Sequence, residues 1–215
     1  LTLIEPHNHI YFVNCTEYES QLDSESTSII NRQEAEVISK LLQLMNEQYG
    51  RMIEKGSIKK DKKKDERKSV GVICTYRDQA RHIKSLIKGK QFSNFSSKRE
   101  DRLIINTVDD FQGDERDIII VSMVRNPRGG RSNSDFIKQF ERINVALSRA
   151  RCMLVVVGSM EYLNSIAIEL PDINGNKDLD RHSFPVYREI IRTIQAKGKI
   201  LQASDIIGEV THDGK

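Results

Sequence analysis

Four short runs of this chain have apolar centres: residues 70–75 (VGVICT), 102–107 (RLIINT), 117–122 (DIIIVS) and 153–157 (MLVVV). A strand with one face in water alternates apolar and polar residues. A strand apolar on both faces has to be covered on both sides. Between these runs lie stretches of helical pattern, at residues 77–87 and again just before Arg149. Strands of this kind alternating with helices specify an α/β fold: a parallel sheet with helices on both faces. Residues 10–13 (IYFV) read as a further short strand. Residues 26–49 read as a helix, with Asn31 as N-cap and Glu34 completing a capping-box pattern. Ile38, Leu41, Leu42 and Met45 form its buried stripe, and Val186, Ile190, Ile191 and Ile194 mark an amphipathic helix near the end.

At 215 residues, with 38% hydrophobic and 30% charged side chains, the chain has enough apolar material for one large domain and its extensions. Its net charge of +3 permits nucleic-acid binding without requiring it. Cys15, Cys74 and Cys152 are far apart and form no CxxC pair. This argues against a metal site or a disulfide framework and for buried, reduced thiols in a cytoplasmic or nuclear setting. No apolar run has the length of a membrane span. Residues 56–68 (GSIKKDKKKDERK) read as an exposed, mobile, charged loop. The chain opens on Leu1 in structured-looking sequence, as an excised piece of a longer protein would.

Four segments are expected at the edge of the sheet where strands end and helices begin, the edge at which open parallel sheets bind ligands. In the first, Arg77 follows a strand and either faces an anion at a helix N-terminus or pairs locally. In the second, Thr107 offers a hydroxyl to phosphate, Gln112 and Gly113 make a tight turn, and Glu115 is placed to accept from a ribose hydroxyl; the same residues also make an ordinary polar loop. In the third, which runs from Ser122 to Asn126 and on, Arg125, Arg128 and Arg131 surround Gly129 and Gly130, as a phosphate-contacting lip or as a solvated loop. In the fourth, Arg149 is delivered at the end of a short helix. It either meets the terminal phosphate of a nucleotide held elsewhere or pairs with a surface carboxylate.

Taken together, VGVICTYRDQ, NTVDDFQGDERDIIIVSMVRN and INVALSRARCMLVVVG resemble motifs IV, V and VI of superfamily 1 helicases. The branch they resemble contains the nonsense-mediated-decay helicase and senataxin. STSIINRQEAEVISKLL resembles the opening of the second motor domain there, and the resemblance spans residues 10–163. It implies a RecA-like domain, residues 1–163, followed by an extension, 164–215, that is packed on it or follows it and is a candidate for docking a protein partner. It implies ATP and Mg²⁺ clamped between this domain and an upstream RecA-like domain. Arg77 and Arg149 would both reach the γ-phosphate, Glu115 the ribose, with Gln112 and Gly113 beside the nucleotide. Thr107, with Arg125, Asn126 and Arg128, would lie toward single-stranded DNA or RNA. Asp114 stands where the family usually carries a basic residue, and Ser148 where it often has threonine.

The sequence contains no G-x-x-x-x-G-K-[ST] and no acidic pair closing an apolar strand as a metal-holding Walker B would. The expectation is therefore a C-terminal motor domain of an ATP-dependent helicase or translocase, inactive as an isolated fragment. The alternative is a non-motor nucleic-acid-binding or protein-docking module of the same fold.

Overall fold

In the computed structural model, the described residues are 5, 7–22, 28–60, 66–96, 102–111, 113–127, 139–169 and 183–208. The elements run β1 (Ile10–Asn14), β2 (Gln21–Leu22), β3 (Ile29–Ile30), α1 (Arg32–Glu54), β4 (Val70–Cys74), α2 (Arg77–Leu86) and β5 (Leu103–Thr107). A 3₁₀ turn (Asp109–Phe111) follows, then β6 (Arg116–Ser122), α3 (Phe140–Ser148), β7 (Ala150–Gly158) and α4 (Met160–Ser165). The chain closes with β8 (Ile168–Glu169), β9 (Ser183–Phe184), α5 (Val186–Lys197), β10 (Lys199–Gln202) and α6 (Ala203–Ile207).

Six strands form one sheet in the order β10-β1-β7-β6-β4-β5, and every neighbouring pair is parallel. Side chains alternate across it. Val70, Val72, Cys74, Ile118, Ile120, Val155 and Val157 share a core with α1, α2 and α6. On the other face Ile73, Ile119, Val121 and Val156 pack with α3, α4 and α5. The fold class read from the apolar runs is the one observed, a parallel sheet covered on both faces, and it agrees with the RecA-like domain that the resemblance implies. At about 25 cal/mol per Å² of apolar surface, this two-sided burial is the main stabilising term.

Several expected boundaries shift, each for a local reason. The first long helix begins at Arg32 rather than residue 26, because Ile29–Ile30 pair with Gln21–Leu22 and Asn31 is extended (φ −127°, ψ 101°). It runs on to Glu54, five residues past Tyr49. Asn31 is the N-cap, its side chain accepting from the Glu34 N–H at 2.9 Å. The reciprocal half of the capping box does not form, because the Asn31 N–H donates instead to Gln79 Oε1 at 2.9 Å. β7 starts at Ala150, three residues before the expected Met153. The charged loop is not exposed throughout as expected: near its end Arg67 is buried and its Nη1 donates to Ser93 O at 2.9 Å. Residues 61–65 of that loop lie outside the described residues. Cys15 and Cys74 are buried free thiols, but Cys152 is exposed. It lies where β7 fits one residue more than β6 between the paired positions Ala150/Arg116 and Met153/Ile118.

β10 was not foreseen. It pairs with β1 as the outer strand, and α5 places Tyr187, Ile191 and Ile194 in the core. No described helix is long and apolar enough to cross a membrane.

Two opposed edges as the candidate functional site

The segment from β5 to β6 decides where the expected site residues lie. β5 ends level with Cys74 of β4, whereas β6 begins at the opposite edge and lies on the other side of β4. The connection must therefore cross the sheet face over β4 in eight residues. Gly71 permits this: a Cβ there would meet Phe111 Cζ at 2.6 Å and Ile119 Cδ1 at 2.8 Å.

At the amino edge, where β6 and β7 begin, the crossing ends in Gly113, Asp114 and Glu115. Gly113 has φ +84°, a left-handed turn that glycine adopts without steric cost. Arg116 is 2% exposed, and its Nη1 donates to the Glu115 carbonyl at 2.8 Å and to the Asp114 carboxylate. Its guanidinium lies 5.8 Å from the Phe111 ring centroid, within cation–π range. The Arg116 N–H donates to the Arg149 carbonyl at 3.2 Å, which brings Glu115 and Arg149 onto one rim. Arg149 is the C-cap of α3, half-buried, and its Nε donates to Val145 O at 3.1 Å. Glu115 is exposed. Asp117 locks this edge, accepting from both Ser69 N–H and Ser69 Oγ at 2.8 Å and pairing with Arg151 at 3.1 Å.

At the carboxyl edge, α2 opens with exposed Arg77, preceded by Tyr76. Arg125 Nε donates to the Tyr76 hydroxyl at 2.9 Å, and its guanidinium sits 5.6 Å from that ring's centroid. Thr107 closes β5 at this edge; its hydroxyl donates to Asp110 Oδ2 at 2.8 Å. Beneath lies a buried polar cluster of Asn31, Glu34, Gln79 and Ser122.

Two expectations are corrected by this geometry. Arg149 does not lie at the edge where strands end: α3 precedes a parallel strand, so its C-terminus is delivered to the amino edge. Arg77 and Arg149 therefore do not converge on one phosphate. The seven residues from Arg116 to Ser122 alone separate the two edges by roughly 20 Å, more than two arginine side chains bridge. Second, the Asn126 amide is committed inside the fold, donating to Thr16 O at 2.7 Å and Tyr18 O at 3.0 Å, which makes it a brace for the lip. Gln112, Arg128 and Arg131, with Gly129 and Gly130, lie outside the described residues.

Arg116 and the Glu34 cluster escaped the sequence reading. An arginine opening an apolar strand beside two acids was the signal for the first. For the second, the signal was a glutamate in a first turn whose neighbours Ala35, Val37 and Ile38 are all core. Among the described residues, no three His, Cys, Asp or Glu side chains gather as a metal site requires.

A family model described as an AAA domain matches residues 2–161. The helicase sen1 of Schizosaccharomyces pombe is 40% identical over 96 residues, 45% of this chain and 5% of that protein. The DNA replication ATP-dependent helicase/nuclease DNA2 of Xenopus laevis is 30% identical over 162 residues, 75% of this chain and 13% of that one. Regulator of nonsense transcripts 1 of Dictyostelium discoideum is 30% identical over 160 residues, 74% and 10% of the respective chains. The chain thus spans only a small part, 5% to 13%, of these relatives.

Proposed function

From the premise that this chain belongs to the AAA domain family, as a C-terminal domain of superfamily 1 helicases, we propose that it is the second motor half of an ATP-dependent helicase or translocase. Its two edges divide the work: the amino edge completes the nucleotide site and the carboxyl edge holds a single strand of DNA or RNA. We draw the motor domain as residues 1–163, with 164–215 as an extension whose α5 and β10 close the β1 side of the sheet.

The observation that carries this reading is the shared rim of Arg149 and Glu115. A guanidinium suits phosphate and an exposed carboxylate suits a ribose hydroxyl, so the pair fits a nucleotide presented from outside, though neither cradles phosphate as a P-loop does. The nucleotide, held with its magnesium ion mainly by the upstream half, would supply the γ-phosphoryl group that passes to water as the nucleoside diphosphate leaves. Arg149 swings from its bond to Val145 and neutralises charge as it develops. Glu115 orients the ribose, and the left-handed Gly113 lets backbone approach closely. Because these groups sit on a different body from the phosphate cradle, they act only when the cleft closes, which couples turnover to domain movement.

At the other edge Arg77 and Arg125 offer charge to the phosphate backbone and Tyr76 a ring face. Arg77 thereby moves from the nucleotide to the strand. The test is steady-state ATP turnover by the full-length parent protein against strand concentration. Arg77→Ala is expected to raise the strand concentration for half-maximal stimulation several-fold, keeping kcat at saturating strand. A loss of kcat at saturating strand would return Arg77 to the nucleotide.

A further inference from the structure

Beneath the carboxyl edge is a buried carboxylate that neither ligand face uses. Glu34 lies in the first turn of α1 at 0% exposure. Its Oε1 accepts from Ser122 Oγ at 2.6 Å and from the Val124 N–H at 3.0 Å, while Oε2 has no partner among the described residues. Ser122 Oγ also accepts from Gln79 Nε2 at 3.2 Å, and the Gln79 amide clasps the Asn31 backbone from both sides, at 2.9 and 3.1 Å. The network joins α1, α2 and the end of β6.

What it holds is unusual. Val124 has φ +64°, the one non-glycine residue with positive φ among those described, and a β-branched side chain is costly there. The next residue is Arg125, whose N–H donates to Met123 O at 2.7 Å and whose side chain seats on Tyr76. A turn that strained keeps its shape only if its surroundings over-determine it. The Glu34 carboxylate is the group that grips its N–H.

We propose that Glu34 is the positioning residue of the strand-facing edge: by holding Val124 in a left-handed turn it aims Arg125 and Tyr76 at nucleic acid. This rests on the reading of the carboxyl edge as strand-facing.

The proposal carries its own pH signature. Burial pushes the Glu34 carboxyl up to about 7 against the opposing pull of its bonds to Ser122 and Val124. Cys15 after β1, Cys74 of β4 and Tyr18 face the same region, and burial pushes all three up, so they stay neutral near pH 7. Gln79, Ser122 and the α1 backbone do not titrate. As pH rises through about 7, the bonds to Val124 and Ser122 become charge-assisted and roughly twice as strong.

The experiment measures affinity of the full-length parent protein for labelled single-stranded RNA and DNA at pH 6 and pH 8, in the unmodified, Glu34→Gln and Arg125→Ala forms. Glutamine keeps an acceptor for both donors and cannot ionise. The expected result is that unmodified affinity, relative to Glu34→Gln, rises about fivefold from pH 6 to pH 8, with nucleotide affinity equal in the two forms. A ratio that stays flat, or nucleotide affinity that falls in step with strand affinity, overturns the proposal, since a merely structural glutamate moves both. Should Glu34→Gln fail to fold, Ser122→Ala removes one donor and leaves the carboxylate; it must weaken strand binding at pH 8, and unchanged affinity overturns the proposal equally. Arg125→Ala reports on the premise alone: undiminished strand affinity there means the carboxyl edge does not face the strand, and the positioning role falls with it.

Discussion

Arg149 and Glu34 show two opposite uses of a charged side chain. Arg149 is half-buried with only its Nε engaged among the described residues, so its charge remains available to a ligand. Replacing it with alanine in the full-length protein is expected to lower kcat by about 10³–10⁵, the range for arginine fingers, with nucleotide affinity nearly intact. Single-turnover kinetics beside equilibrium binding distinguishes this from a structural arginine, whose loss leaves turnover in place. Glu34 is fully enclosed, and its folded-state acidity, about 7 against 4.5, makes a stability statement. Between those two pH values the folded chain binds the proton more tightly than the unfolded chain. The contribution is therefore complete below about 4.5 and is lost as pH rises through about 7, to the extent of about 3 kcal/mol. Urea unfolding at pH 5 and pH 8 checks this: the fall in stability should shrink in Glu34→Gln, and an identical fall in both forms would remove Glu34 as its source.

At the scale of elements, the crossing from β5 to β6 governs the arrangement, because eight residues replace the helix that usually joins parallel strands. It lies so close to β4 that Gly71 is required. Gly71→Val is expected to cost about 1–3 kcal/mol by overpacking, and Phe111→Leu in the same chain to restore part of it. Thermal melts of the two single variants and the double variant settle this, strict additivity being the adverse result. Helices and central strands were legible in the sequence because each carries its own periodicity: α2 spans Arg77–Leu86 where residues 77–87 were expected, and β4 spans Val70–Cys74 where 70–75 were. β10 was not, since an edge strand of four residues needs little apolar sequence; Ile200 and Leu201 are its apolar residues. The Glu34 contacts were not legible either, since Ser122 is 88 positions away and the local pattern matched a capping box.

Across the whole molecule, the expected edge for Arg149 is the one that the structure corrects. A parallel sheet fixes the direction of every connection, so a residue that precedes a strand lies at the edge opposite to one that follows a strand. Applied to Arg149 before β7 and Arg77 after β4, that rule separates them without any coordinates. The motif reading placed both at one phosphate, because sequence spacing within a motif carries no edge. On the proposed reading, the domain carries a nucleotide rim at one end of its strands and a strand-binding edge at the other, joined by β4, β6 and β7.

The measurement that bears most directly on this division is ATP turnover of the full-length parent protein as a function of single-strand concentration, for Arg149→Ala and Arg125→Ala side by side. Arg149→Ala is expected to collapse kcat while the half-saturating strand concentration stays in place. Arg125→Ala is expected to raise that concentration several-fold while kcat at saturation is kept. If each variant moves both quantities together, the two edges do not serve separate ligands and the division is wrong.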